Sequence, residues 1–260
     1  MKNALLAVLL VTPVFAILGT MVISHRMTFF SDVLGHSALT GVAIGVVLGM
    51  GDPLWSMLFF AIILAIALNF MKWATNTTSD TVLGVFFAVT VALGVVILSR
   101  GGGFSKFTGY LIGDILAVTP RQILLLAIVF LIVLSYFAVM GNALVLIGVS
   151  PVLARSRNIA VFLAETSFTV LLAVVVVLSI RLVGILIINS LLFMPAAAAR
   201  NLARSVCGYT AWAIGIGLFS GIIGLAFSYY WGTASGATIV LFSAVVYILS
   251  ALYGGWLRKN

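Results

Sequence analysis

The sequence predicts an all-α polytopic membrane bundle of about eight to nine transmembrane helices, and three observations lead there. Of 260 residues, 64% are hydrophobic and 7% charged, against about 45–50% and roughly 25% in an ordinary soluble domain. The apolar residues gather in runs, and a bilayer takes about 20 of them to cross. Stretches such as LLAVVVVLSI, residues 171–180, do not alternate polar with apolar. They therefore read as helices and not as β-barrel strands. A soluble enzyme, a disordered chain and a nucleic-acid module are all excluded by this composition.

The elements follow in order. The apolar run after Lys2 continues well past a signal-peptide core of about 7–15 residues, so residues 4–24 form the first span. Further spans are expected at 33–50, 53–71, 81–99, 121–140, 160–180, 182–199, 209–229 and 236–256, each bounded by Gly, Pro, Asn, Asp or basic residues. Residues 107–118 are apolar but too short to cross, and read as a half-helix or interfacial piece. The whole chain, 1–260, is expected to be a single transmembrane domain, with a polar break at 148–158.

The net charge is +8, from 13 Lys+Arg against 5 Asp+Glu. In a bundle surrounded by membrane lipid this excess reads as orienting loops, with no nucleic-acid partner. With nine spans and an outside N-terminus, Arg26, Lys72, Arg155, Arg157, Arg200, Arg204, Arg258 and Lys259 are cytoplasmic, while Lys2, Arg100, Lys106, Arg121 and Arg181 are outside. The one cysteine, Cys207, forms no internal disulfide. No glycine-rich loop carries Lys followed by Ser or Thr, so any ATP hydrolysis belongs to another subunit. The chain is expected to be no enzyme and to hold no covalent cofactor.

Charges inside a membrane are costly and point to function. The acids are Asp32, Asp52, Asp80, Asp114 and Glu165. Asp32 and His36 stand at i, i+4, which puts both side chains on one helix face. Carboxylate and imidazole there can meet one divalent cation, and imidazole suits zinc. Ser37 and Thr40 add hydroxyls nearby as candidates to line a path. The other reading of the same spacing has Ser31 or Asp32 capping the helix and His36 packing against a neighbour. Gly41, Gly45 and Gly49 form a stripe that suits close helix approach. In 148–158, Pro151 at a helix start followed by Ala-Arg-Ser-Arg suits a short amphipathic helix, and an ordinary basic loop fits as well. Asn189, Ser190 and Met194 sit within a span that Pro195 is expected to break. Carbonyls freed there could line a polar path.

Taken together, these segments resemble the membrane subunit of the metal-ion ABC importers, the family carrying zinc, manganese or iron. The resemblance rests on Asp32–x3–His36, on Ser79-Asp80-Thr81 with Gly84, and on Tyr110 to Asp114 with Leu116-Ala117. It rests also on Ser150-Pro151 with Ala154, on Val183-Gly184 through Pro195-Ala196-Ala197, and on Ser235 to Thr238. The pair Gly113-Asp114 is closer to the zinc-type members. The resemblance implies a fold like the vitamin-B12-type permeases and a homodimer around the path. It implies cytoplasmic ATP-binding subunits docked on a coupling helix of Ser150, Pro151, Ala154, Arg155 and Arg157. It also implies an extracytoplasmic metal-binding protein, Asp32 and His36 as transient metal ligands, zinc as the transported ion, and a place in the bacterial inner membrane. Two departures are Asn158, where the family often has glycine, and Thr40, where it often has proline. The first is expected to alter docking slightly and the second to alter a helix kink.

Residues alone leave room for other classes. A self-contained secondary carrier would tolerate alanines throughout 148–158, and a scaffold protein would not respond to changes at Asp32 or His36. No internal repeat of the kind found in many secondary carriers is visible. Within the family reading, manganese or iron stands as the alternative cargo.

Overall fold

The computed structural model describes residues 2–75, 79–101, 115 and 118–257. They form ten helices and, among the described residues, no strand. The helices are α1 (Lys2–Ser24), α2 (Phe30–Val47), α3 (Leu54–Ala74), α4 (Ser79–Gly101), α5 (Pro120–Val149), α6 (Pro151–Ser156), α7 (Val161–Val183), α8 (Ile185–Leu202), α9 (Val206–Trp231) and α10 (Ser235–Leu257). Eight of them, all but α6 and α8, are long and apolar enough to cross a membrane. Each of the nine expected spans falls on one of the nine long helices. The expected half-helix lies outside the described residues except for Ile115 and Val118, as do Asp114, Lys106, Arg258 and Lys259.

The largest difference from expectation is α5, with 30 residues, about 45 Å at 1.5 Å per residue. It continues to Val149 because FAVMGNALVLIGV contains no residue that stops a helix. The glycine Gly141 is tolerated inside it, as isolated helix glycines are.

The described helices gather into two compact units. The first holds α1, α5 up to Ala138, α8, α9 and α10. Within it α1, α8 and α9 pack on one another, and α10 packs on α8 and α9. Small residues make this possible. A Cβ placed on Gly19 would strike the Leu192 carbonyl, and one on Gly224 would stand 2.7 Å from Cα of Ile239.

The second unit holds α2, α3, α4, α5 from Val139, α6 and most of α7. Here α2 packs between α3 and α4. Gly41 and Gly45 meet Met57 and Ser56 of α3, as the small-residue stripe predicts, and Ser56 Oγ lies 2.7 Å from the Gly41 carbonyl. Gly49 is not part of that stripe. It follows the last turn of α2 with φ +67°, and a Cβ there would meet nothing. It is the left-handed residue that ends the helix.

Candidate functional site

The site begins with how α2 starts. Its N-cap position is Phe29, which makes no side-chain cap bond, and Asp32 stands inside the first turn. The expectation that Ser31 or Asp32 caps the helix is therefore corrected. A carboxylate in a first turn is favoured by the helix dipole, which offsets part of the cost of placing a charge there.

Asp32 and His36, one turn apart, open into the same cavity of about 530 Å³. Phe29 and Val33 complete the α2 wall, and Leu83, Gly84 and Phe87 of α4 face them. The His36 ring meets Phe87 edge-on, with centroids 5.1 Å apart at 87°, a favourable aromatic arrangement. Gly84 keeps the opposite wall open, since a Cβ there would have no neighbour within 4 Å. The cavity is apolar apart from one carboxylate and one imidazole. Among the described residues, no group of three or more His, Cys, Asp or Glu side chains comes together to hold a metal. An ion at this pair would keep several positions for water or passing ligands, unlike a closed four-ligand structural site.

Ser37 and Thr40 do not line this cavity. Both are fully buried. Ser37 Oγ donates to the Leu34 carbonyl at 2.7 Å, and Thr40 Oγ1 donates to the Thr90 carbonyl of α4 at 2.6 Å. Thr40 shares the face of Asp32 and His36 but lies one turn further on, where α4 closes on α2. Gly94 permits that approach: a Cβ on it would stand 2.6 Å from Thr40 Oγ1. The cavity ends at this crossing. Where a proline kink is common, this chain keeps α2 continuous from Phe30 to Val47 and uses Thr40 as an interhelical donor.

The ABC 3 transport family profile matches residues 1–254. The chain belongs to the ABC 3 transport family. A relative in this family is the high-affinity zinc uptake system membrane protein ZnuB of Haemophilus influenzae, 36% identical over 95% of each chain. Another is the manganese transport system membrane protein MntC of Listeria monocytogenes, 28% identical over 97% of this chain and 90% of that one. Among solved structures, PsaBC from Streptococcus pneumoniae in complex with Fab superposes with a TM-score of 0.81 at 26% identity, covering 96% of this chain and 90% of that one. This member of the ABC 3 transport family is thus a multi-pass membrane protein with the fold of an ABC importer permease.

In this family member the polar break at 148–158 folds as expected at its start. Ser150 is the N-cap of α6, its Oγ accepting from Leu153 N–H at 3.3 Å, and Pro151 opens the helix. The end is also well defined. Asn158 adopts φ 57°, Asn158 N–H donates to the Arg155 carbonyl at 3.0 Å, and Ile159 N–H donates to the Ala154 carbonyl at 3.1 Å. This is a Schellman motif, in which asparagine takes the left-handed place that glycine usually fills. Asn158 thereby keeps a glycine-type backbone at the end of α6.

Ala154 turns inward: it is 0% exposed and packs with Ile147, Val161 and Ala164 of its own chain, so it seats α6 on α5 and α7. Pro151, Val152, Leu153, Arg155, Ser156, Arg157 and Asn158 are exposed in this segment. Arg155 lies 5.1 Å over the Trp73 ring.

Asn189, Ser190 and Met194 all lie on α8, in the first unit, whereas Asp32 and His36 lie in the second. Ser190 is buried and its hydroxyl points to Met194 Sδ at 3.8 Å. Pro195 does not break the helix, which continues to Leu202. The break comes earlier, at Gly184, whose φ of 87° separates α7 from α8. Pro195 instead packs near Gly217 of α9.

Two features lay beyond the sequence reading. One is the α4 wall of the cavity, for which only the family-type Gly84 gave a signal. The other is a buried cluster around Glu165, described below.

Proposed function

We propose that this chain is the membrane-spanning permease subunit of an ATP-driven importer of divalent metal ions, with zinc as the cargo. One observation carries the reading: Asp32 and His36 open together into an otherwise apolar cavity beneath the α2–α4 crossing. A cation entering such a cavity must exchange part of its water shell for protein ligands. Asp32 supplies charge, and His36 supplies the borderline-soft nitrogen that favours zinc over magnesium or calcium. Two protein ligands hold the ion weakly enough to release it, which a carrier requires and a structural zinc site does not.

The family membership and the zinc and manganese transport named for its relatives support the same reading. In this proposal two copies form the path, an extracytoplasmic binding protein delivers the ion, and separate cytoplasmic ATP-binding subunits dock on the exposed face of α6. ATP binding to those subunits alternates the access of the Asp32–His36 cavity between the two sides.

The test is uptake of labelled zinc and manganese by proteoliposomes holding the full complex. Asp32→Asn and His36→Ala should each lower zinc uptake by at least about tenfold, on the scale of changes at metal sites, while the complex assembles normally. Zinc uptake at the normal rate by both variants would make the pair a packing feature. Uptake of manganese in preference to zinc by the unaltered complex would reassign the cargo.

A further inference from the structure

Glu165 is a buried acid that the transport reading does not use. It lies on α7, one helical turn past the start, with a side chain 9% exposed. A carboxylate held in such surroundings needs partners, and two elements supply groups that face it. Lys72 Nζ donates to Oε2 at 3.1 Å, and Trp73 Nε1 approaches the same oxygen at 3.4 Å, both from the last turn of α3. His25 Nδ1 faces Oε1 at 3.8 Å from the turn between α1 and α2. The other ring nitrogen, Nε2, stands 3.0 Å from the Leu144 carbonyl of α5, which can only accept, so Nε2 carries the hydrogen. Beside these, Asn69 Nδ2 donates to Thr166 Oγ1 at 2.5 Å, a second polar tie between α3 and α7.

The cluster connects two places that matter. At one end is α6. Arg155 stacks on Trp73, and Ala154 packs against Val161 and Ala164, so α6 touches both helices that the Glu165 carboxylate joins. At the other end is α2. His25 lies five residues before Phe30, where α2 begins, and the connecting turn contains Arg26 in the left-handed region at φ 56°. A small cavity touches Asn69 and Lys72 on one side and Leu83 on the other, and Leu83 also lines the Asp32–His36 cavity.

We propose that Glu165 is a positioning residue of the transport cycle: it ties α3 and the α1–α2 turn to α7, so that displacement of α6 is carried to the helix bearing Asp32 and His36. A hydrophobic side chain of similar size would fill the same space, and buried ion pairs are often no more stabilising than such a replacement. What the carboxylate adds is direction, because Lys72 and Trp73 of α3 donate to it while His25 of the α1–α2 turn faces its other oxygen.

This inference rests on the proposed ATP-driven import and is tested in the same complex. ATP hydrolysis and zinc uptake are measured together for Glu165→Gln, Lys72→Met and the conservative Lys72→Arg. Neither residue touches ATP or the cation, so the hydrolysis rate should persist in all three. In the first two variants, zinc carried per ATP hydrolysed should fall by about tenfold, the scale of a coupling energy between sites. Lys72→Arg should restore the ratio. An unchanged ratio overturns the proposal, whether both rates stay normal or both fall together. If Glu165→Gln fails to assemble, Lys72→Met at the more accessible arm decides by the same ratio. Failure of both to assemble makes the cluster a folding determinant and also overturns it. Absence of ATP-driven zinc uptake in the unaltered complex would instead remove the proposed function.

Discussion

The two units of this chain solve different problems with the same building material. In the unit of α1, α8, α9 and α10, helices approach through small residues at Gly19, Gly217 and Gly224, and the packed cluster of Ala16, Ala198, Ala199 and Ala213 contains no charge. In the unit of α2, α3, α4 and α7, glycines also allow close crossings, but the gaps left between helices contain ionisable groups. Both histidines and every acid among the described residues belong to it. The difference teaches where a membrane protein can place chemistry. Lipid supplies no partner for a charge, so charges collect where several helices can surround them.

The largest effect is expected where the second unit packs like the first. Ala154→Asp would bury an unpaired carboxylate among Ile147, Val161 and Ala164, costing about 3–5 kcal/mol. Thermal unfolding of the purified protein should shift down sharply, and an unshifted midpoint would mean that α6 is not seated as described. Next comes Gly224→Ala in the first unit. Its Cβ would stand 2.7 Å from the backbone of Ile239, which cannot swing aside, so overpacking should cost about 1–3 kcal/mol. Equal or greater stability in the same assay would break the claim that close approach governs this unit. The smallest change in stability belongs to Gly84→Leu. With open space beside it, the new side chain should alter stability by less than about 0.5 kcal/mol. Because it projects into the cavity, zinc uptake should fall on the order of tenfold, as for other changes around a metal's ligands. A loss of stability with normal uptake would invert the comparison between the units.

Much of the fold was legible because lipid leaves the chain few choices. Runs of apolar residues had to be helices, and each expected span falls on an observed helix, although α8, at the expected span 182–199, is not among the eight long and apolar enough to cross. The pairing of Asp32 with His36 was legible because i, i+4 spacing is a property of one helix. The inward turn of Ser37 and Thr40 was not, because it depends on where α4 crosses. The Glu165 cluster was hidden for the same reason: its partners Trp73 and Lys72 lie 92 and 93 positions away. The direction of Ala154 was also out of reach, since a helix of six residues is under two turns and shows no reliable face.

The Schellman turn at Asn158 has a mechanical consequence. Two backbone hydrogen bonds, with Ile159 folded back onto the core beside Ala154, leave no loose hinge between α6 and the start of α7. Torque applied to the short helix reaches the long one through main chain, as through a bent crank. The stiffness of that crank depends on the cap and on Ala154, not on the residues that point outward. The outward positions Val152, Leu153 and Arg157 can therefore vary without altering the angle of the crank, whereas Arg155 is held over Trp73.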